Sequence, residues 1–313
     1  MQLRSMGVAA LALLACGATG AAAQQQPQQW PNSPLPSTGR PVFPFFEGWY
    51  QNEDGSVTLS FGYLNRNPDE VVEIPLGDRN YIEPRELDGI QPTHFLPSRN
   101  RGVFAITLPA SERDTDVWWY LTDEDGNEYK VPGRASSSSY ELDWMPRPHG
   151  TLPPLMWFES ESEAGRGPGG VWAEETLRAS VGEPVTLTVT TRDPSEHDPS
   201  DPRFREPIPV RVVWSKYQGP EAEVTFTRHE SNPLPEPSDE GARQGGGRGR
   251  AEPPPPEEIE LEEGRGTASV VATFNAPGTY IMRAQADNWD APDSSSGDQC
   301  CWTNAYVRVE VSP

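Results

Sequence analysis

Cysteine is nearly absent from this chain: three occur in 313 residues, Cys16, Cys300 and Cys301. The last two are adjacent, so no bridge between them spans a domain, and the cores must hold by packing. Positive charge is scarce too, with 25 Lys+Arg against 47 Asp+Glu and a formal charge of −22. A surface this acidic repels DNA, RNA and anionic membranes, which excludes nucleic acid as a partner. No apolar run approaches the roughly 20 residues of a membrane-spanning helix. No window of about 11 residues or more repeats with the 3.6 period of an amphipathic helix. The four histidines, His94, His149, His197 and His229, include no two at metal-ligand spacing. G-x-S-x-G, H-E-x-x-H and the P-loop are all missing, which points away from an enzyme. Carboxylate pairs for glycoside hydrolysis remain, but nothing among 47 acidic residues selects one.

What is present begins with an export leader. Arg4 supplies a positive n-region, Val8 to Ala15 an apolar h-region, and Ala21-Ala22-Ala23 before Gln24 a small-residue cleavage site. A second processing site overlaps it: Leu13-Leu14-Ala15-Cys16 resembles the lipobox of bacterial lipoproteins, which would anchor the chain to a membrane through Cys16. Both routes export the mature protein to the periplasm, cell surface or medium. Residues 24–41 (QQQPQQWPNSPLPSTGRP) then read as an extended Pro/Gln tether.

The 35 Pro and 28 Gly call for many turns and short strands. In residues 42–150, Asn52-Glu53-Asp54-Gly55 separates Gly48-Trp49-Tyr50 from the run Val57 to Tyr63, and an Asp-Gly pair between such runs signals a hairpin. Asp123 to Asn127 does the same between Val117–Thr122 and Tyr129-Lys130-Val131. Residues 151–170 turn to Pro, Gly and acid, as an interdomain linker does, with Met156-Trp157-Phe158 apolar enough to pack on a domain face. From 171 to 313 seven strands are expected, around 175–180, 185–190, 210–217, 223–227, 268–274, 279–286 and 305–311. Their inward rows include Val185/Leu187/Val189, Val210/Val212/Trp214 and Val307/Val309/Val311. Between the fourth and fifth strands, residues 229–264 carry QGGGRGR and four consecutive prolines, and are expected to be a disordered insertion. The predicted fold class is therefore all-β, two β-sandwiches in tandem.

Three segments carry a resemblance: Val181-Gly182-Glu183-Pro184-Val185-Thr186-Leu187, Val213-Trp214-Ser215-Lys216-Tyr217, and Ala272-Thr273-Phe274 through Pro277-Gly278-Thr279-Tyr280. In them, residues 171–313 resemble the bacterial extracellular Ig-like or PKD-type sandwiches. The resemblance implies a core Trp at Trp214 on the third strand and a tyrosine corner at Tyr280. Leu187 and Met282 stand about where antibody domains place their inter-sheet cysteines. It implies little about function, since adhesins, enzyme appendages and receptor modules share this scaffold. The first domain resembles no family.

Candidate binding residues gather in the loop before the last strand. Trp289, Asp290 and Trp302 would meet a ligand there, as such loops do in variable Ig domains. Asp287, Asp290, Asp293 and Asp298 offer the hard oxygen ligands Ca²⁺ takes, without EF-hand spacing. Cys300-Cys301 is read as a vicinal disulfide, with a disulfide-linked partner, metal thiolates and free thiols as the alternatives. On the strand 117–122, Trp119 faces opposite to Trp118 and Tyr120; one face belongs to a core and the other offers a platform for stacking sugars, for which Trp119 is put forward. The expectation is an exported, non-catalytic recognition or adhesion module that binds an envelope protein or glycan. A structural subunit of an envelope assembly is the second reading, and a secreted hydrolase with its site in the first domain the third.

Overall fold

Turn residues cut the chain into strands, and side-chain alternation decides which face each strand buries. The structure, a computed structural model, describes residues 38–204, 207–234, 253–294 and 301–313. Its first half contains β1 (Val42–Gln51), β2 (Val57–Asn65), β3 (Val72–Glu73), β4 (Asn80–Glu83), β5 (His94–Phe95), β6 (Ser98–Leu108), β7 (Val117–Thr122), β8 (Glu128–Gly133) and β9 (Glu141–Leu142). The second half contains β10 (Leu155–Trp157), β11 (Val171–Trp172), β12 (Leu177–Ser180), β13 (Pro184–Arg192), β14 (Val210–Gln218), β15 (Val224–Arg228), β16 (Glu258–Leu261), β17 (Arg265–Phe274), β18 (Gly278–Asp287) and β19 (Trp302–Ser312). Helix among the described residues is confined to 3₁₀ turns of three residues each.

Both expected hairpins form. Gly55 (φ +85°) turns β1 into β2, and Gly126 (φ +84°) turns β7 into β8. The first sandwich packs sheet β6-β2-β1-β9 against sheet β4-β7-β8, with β3-β5 as a separate ribbon. Leu59, Phe61, Ile82, Phe104, Val117 and Trp119 fill the space between. The second sandwich packs β10-β13-β17-β15 against a six-stranded sheet ordered β11-β19-β18-β14-β16, with β12 also on β19. Leu187, Trp214, Phe274, Met282 and Val309 form its core, so the aliphatic stand-ins for an inter-sheet disulfide lie where they were expected. Tyr280 also ties its corner as expected, its hydroxyl donating to Ala276 O at 2.9 Å.

Two stretches are more ordered than their composition suggests. Within 151–170, β10 pairs with Thr190–Arg192 of β13, and Met156 is fully buried in the second core. Within 229–264, β16 lies against Val210–Val213 of β14 with Ile259 buried. The C-terminal part of the expected disordered insertion is thus structured, because one apolar side chain every second residue suffices to seat an edge strand. Residues 235–252 lie outside the described residues.

Residues Ser37–Pro313 form one compact unit. The six-stranded sheet is covered on both faces: Trp214, Met282 and Ala284 face its own sandwich, while Tyr217, Ile281 and Tyr306 join the core of the first. Cover on both faces explains why β18 is buried almost without a break from Tyr280 to Asp287, Arg283 included. The seam is fastened by polar side chains reaching backbone. Tyr306 donates to Val103 O at 2.7 Å, and Asn304 Nδ2 donates to Gly102 O at 2.8 Å and Pro168 O at 3.0 Å. Gly102 has to be glycine: its φ is +49°, and a Cβ there would stand 2.2 Å from Trp302 Cζ2.

Candidate functional site

The described residues of the loop before β19, and the start of that strand, are largely engaged with the protein itself. Trp302, expected at a binding surface, is fully buried, its indole donating to Gly102 O across the seam. Trp119 is also fully buried, among Phe61, Phe95 and Phe104, with its indole N–H given to Asn80 Oδ1 at 3.0 Å. Neither ring presents a face to a ligand, which corrects both assignments. The row Val117/Trp119/Leu121 is the apolar one on β7, and it took the core. Trp289 is half-buried, with Arg211 over its ring at 5.4 Å, and Asp290 is exposed beside it.

Two of the four carboxylates proposed for Ca²⁺, Asp287 and Asp293, have separate partners. Asp287 Oδ2 accepts two bonds from Arg211, each 3.1 Å. Asp293 accepts from the backbone N–H of His149 at 2.9 Å and from the Thr151 hydroxyl. Asp298 lies outside the described residues, and among those described no three His, Cys, Asp or Glu side chains gather as a metal would need. Cys301 is fully buried and disulfide-bonded, whereas Cys300 lies outside the described residues.

An aromatic surface exists on the other face of β7. Tyr81 and Tyr120 stack at 4.5 Å with 9° between planes, Arg85 sits 3.9 Å over Tyr81, and Lys130 sits 5.0 Å over Tyr120. Trp118 has Lys130 and Arg134 each at 5.7 Å. Tyr120 donates to Glu83 at 3.0 Å; withdrawal from water and this bond push its phenol up to about 12. The rings are turned to one another and to cations, so the row forms a closed ladder.

A concave feature with convergent polar groups lies at the seam, on the open side of the second sandwich. β16 reaches only to Val213 of β14, and past its end Trp214 spends its backbone N–H on Glu257 O at 3.0 Å. There the gap between β14 and the edge strand β15 opens into a pocket of about 460 Å³, closed on the third side by the ribbon β3-β5. Val71, Leu96, Val213, Val224 and Phe226 give it apolar walls, and Trp214 contributes to the floor.

Its polar heart is built by cross-strand register. Glu73 and His94 are partners on β3 and β5, which places both side chains on one face. Glu73 Oε1 meets His94 Nδ1 at 2.7 Å and Lys216 Nζ at 2.6 Å. Lys216 is 5% exposed and also donates to Pro220 O at 3.0 Å and Ala222 O at 2.9 Å. All three ammonium protons therefore have acceptors, and the turn from β14 to β15 is held in place by them. The turn itself begins at Gly219 (φ +149°), where a Cβ would strike the Tyr280 ring at 2.5 Å. A fully coordinated lysine makes a fixed charge and a poor nucleophile. Around this trio the rim is acidic: Glu221 and Glu223 are exposed and Glu257 half-exposed. Sequence reasoning missed Glu73, His94 and Lys216. The one available signal was scarcity, Lys216 being one of two lysines in the chain.

No known family matches the chain, and no curated protein does. Solved structures to which it is similar include the D00-D0 domain of intimin, at 11% identity over 86% of this chain and 98% of that one, with a TM-score of 0.23. A protein of unknown function from Porphyromonas gingivalis W83 has 10% identity over 87% and 100% of the two chains, with a TM-score of 0.22. Domains 4 and 5 of the S-layer protein SbsC have 10% identity over 88% and 98%, also with a TM-score of 0.22. Likenesses this weak carry no argument about what the chain binds.

Proposed function

We propose that this protein is an exported, non-catalytic recognition module whose second sandwich is of the Ig-like/PKD-like kind and which holds a partner protein of the cell envelope in the groove at the seam. The observation that carries this reading is the pocket itself. It is apolar-walled and acid-rimmed, lies between two strand edges, and is fixed by a Lys216–Glu73–His94 trio whose hydrogen bonds, among the described residues, run to one another and to the carbonyls of Pro220 and Ala222. A site that recognises needs rigid walls and satisfied charges; a site that transforms needs an activated nucleophile or a poised acid and base. Export is supported by the leader at residues 1–23, with attachment through Cys16 as the variant in which the module stays on a membrane. The same reading pairs Cys300 with Cys301, closing the chain just ahead of β19.

The test is photo-crosslinking on native cells. A photoreactive residue at Glu223, on the rim, is expected to give a discrete protein adduct, and one at the exposed Glu112 on the first sandwich none. No adduct from position 223, or equal adducts from both positions, would overturn the groove as the recognition site.

A further inference from the structure

We infer that the occupant of the groove is an extended, basic segment of the partner, added as a strand along β15 with a Lys or Arg side chain seated against the acidic rim. The inference rests on the recognition reading and adds the chemistry of the ligand.

Three observations converge on it. First, among the described residues β15 is the terminal strand of its sheet, paired only with β17, and its sequence Val-Thr-Phe-Thr alternates half-buried and exposed residues. An edge of β-branched and aromatic residues, without proline or an inward charge over those four positions, presents unpaired backbone groups to an incoming strand. Arg228 closes only the far end, donating to Pro255 O at 2.8 Å and Glu258 O at 2.9 Å. Second, Val224 and Phe226, the half-buried pair on that strand, line the pocket, so a strand laid on β15 would place alternate side chains over an apolar hollow.

Third, the charge around that hollow has one sign. Glu221, Glu223 and Glu257 ring it, while among the described lining residues the one Lys or Arg, Lys216, is committed to Glu73 and two carbonyls, and His94 is bonded to Glu73. An acidic or phosphorylated segment would meet repulsion; a lysine or arginine side chain would lay its methylenes on Phe226 and Val224 and its charge on the rim. The occupant is therefore cationic and extended rather than helical, since a gap between two strand edges satisfies the backbone of a strand and not that of a helix.

Selection from a random display library of unstructured peptides on the immobilised full chain tests this. Peptides retained by the wild type and lost on the Glu221→Gln/Glu223→Gln/Glu257→Gln variant are sequenced. The expected result is an excess of Lys and Arg alternating with β-branched residues. Individual binders should weaken about tenfold on the variant, in keeping with a few partly screened charge pairs, and should weaken further with salt. Backbone N-methylation of such a peptide should abolish binding, and its binding should slow amide exchange in β15. The inference fails if retained peptides carry no basic excess, if they bind the variant equally, or if nothing is enriched from the library. A photo-adduct at position 223 together with any of these failures would leave the recognition groove standing and remove only the basic strand.

Discussion

Asp287 is 3% exposed and faces Arg211, yet burial outweighs that cation and raises its pKa from 3.8 to about 6. The folded protein therefore keeps a proton there that the unfolded chain has already released. Stability from this group is complete below the unfolded value of 3.8 and is lost as pH rises through about 6. A shift of two units corresponds to about 3 kcal/mol. We expect Asp287→Asn to flatten the wild-type decline between about pH 4 and about pH 7 by that order, read from urea midpoints at each pH. A difference between the two proteins that stays constant across the range would refute the assignment. At Gly102 the argument is steric: with φ at +49° and Trp302 Cζ2 at 2.2 Å from a built Cβ, Gly102→Ala should lower stability by about 3 kcal/mol, measured by thermal unfolding.

At the scale of elements, β10 and the β14–β15 turn make the sharpest cases. Met156 is fully buried in the second core, so Met156→Ala should cost about 2–5 kcal/mol in urea unfolding, whereas a mere linker would tolerate it. Lys216→Met strands Glu73, whose side chain is 15% exposed, and should cost about 3–5 kcal/mol; adding Glu73→Gln should recover most of that loss in the same assay. How far such elements were legible depended on distance along the chain. The tyrosine corner closes over four residues and the rows of β13, β14 and β19 follow from alternation, so all were readable. Alternation also said that Trp119 opposes Trp118, but a period of two cannot say which face is the core. Flanking Val117 and Leu121 held that answer. Trp302 falls in sequence within the loop ahead of the last expected strand, while its burial is decided by Gly102, 200 residues away. The Glu73–His94–Lys216 trio depends on a register and on a seam, and no local pattern announces either.

For the molecule as a whole, the seam decides how many units unfold. The first core contains Tyr217, Ile281 and Tyr306 from the second half, so the two sandwiches share apolar surface as well as hydrogen bonds. We expect one calorimetric transition whose calorimetric and van't Hoff enthalpies agree. Asn304→Ala, which strips donors from Gly102 O and Pro168 O, should weaken the seam and broaden or divide that transition. Two transitions in the wild type would show sandwiches that fold separately.

The shared core also sets an order of assembly. Tyr306 lies on β19, which follows every other strand, and it completes a cluster begun at Val42. A chain emerging from a ribosome or a translocon therefore cannot seal its first half until almost the whole of it has passed through. The half-made protein keeps its aromatic residues uncovered and stays threadable, and a copy truncated before β19 displays that unfinished surface to any protease that inspects it.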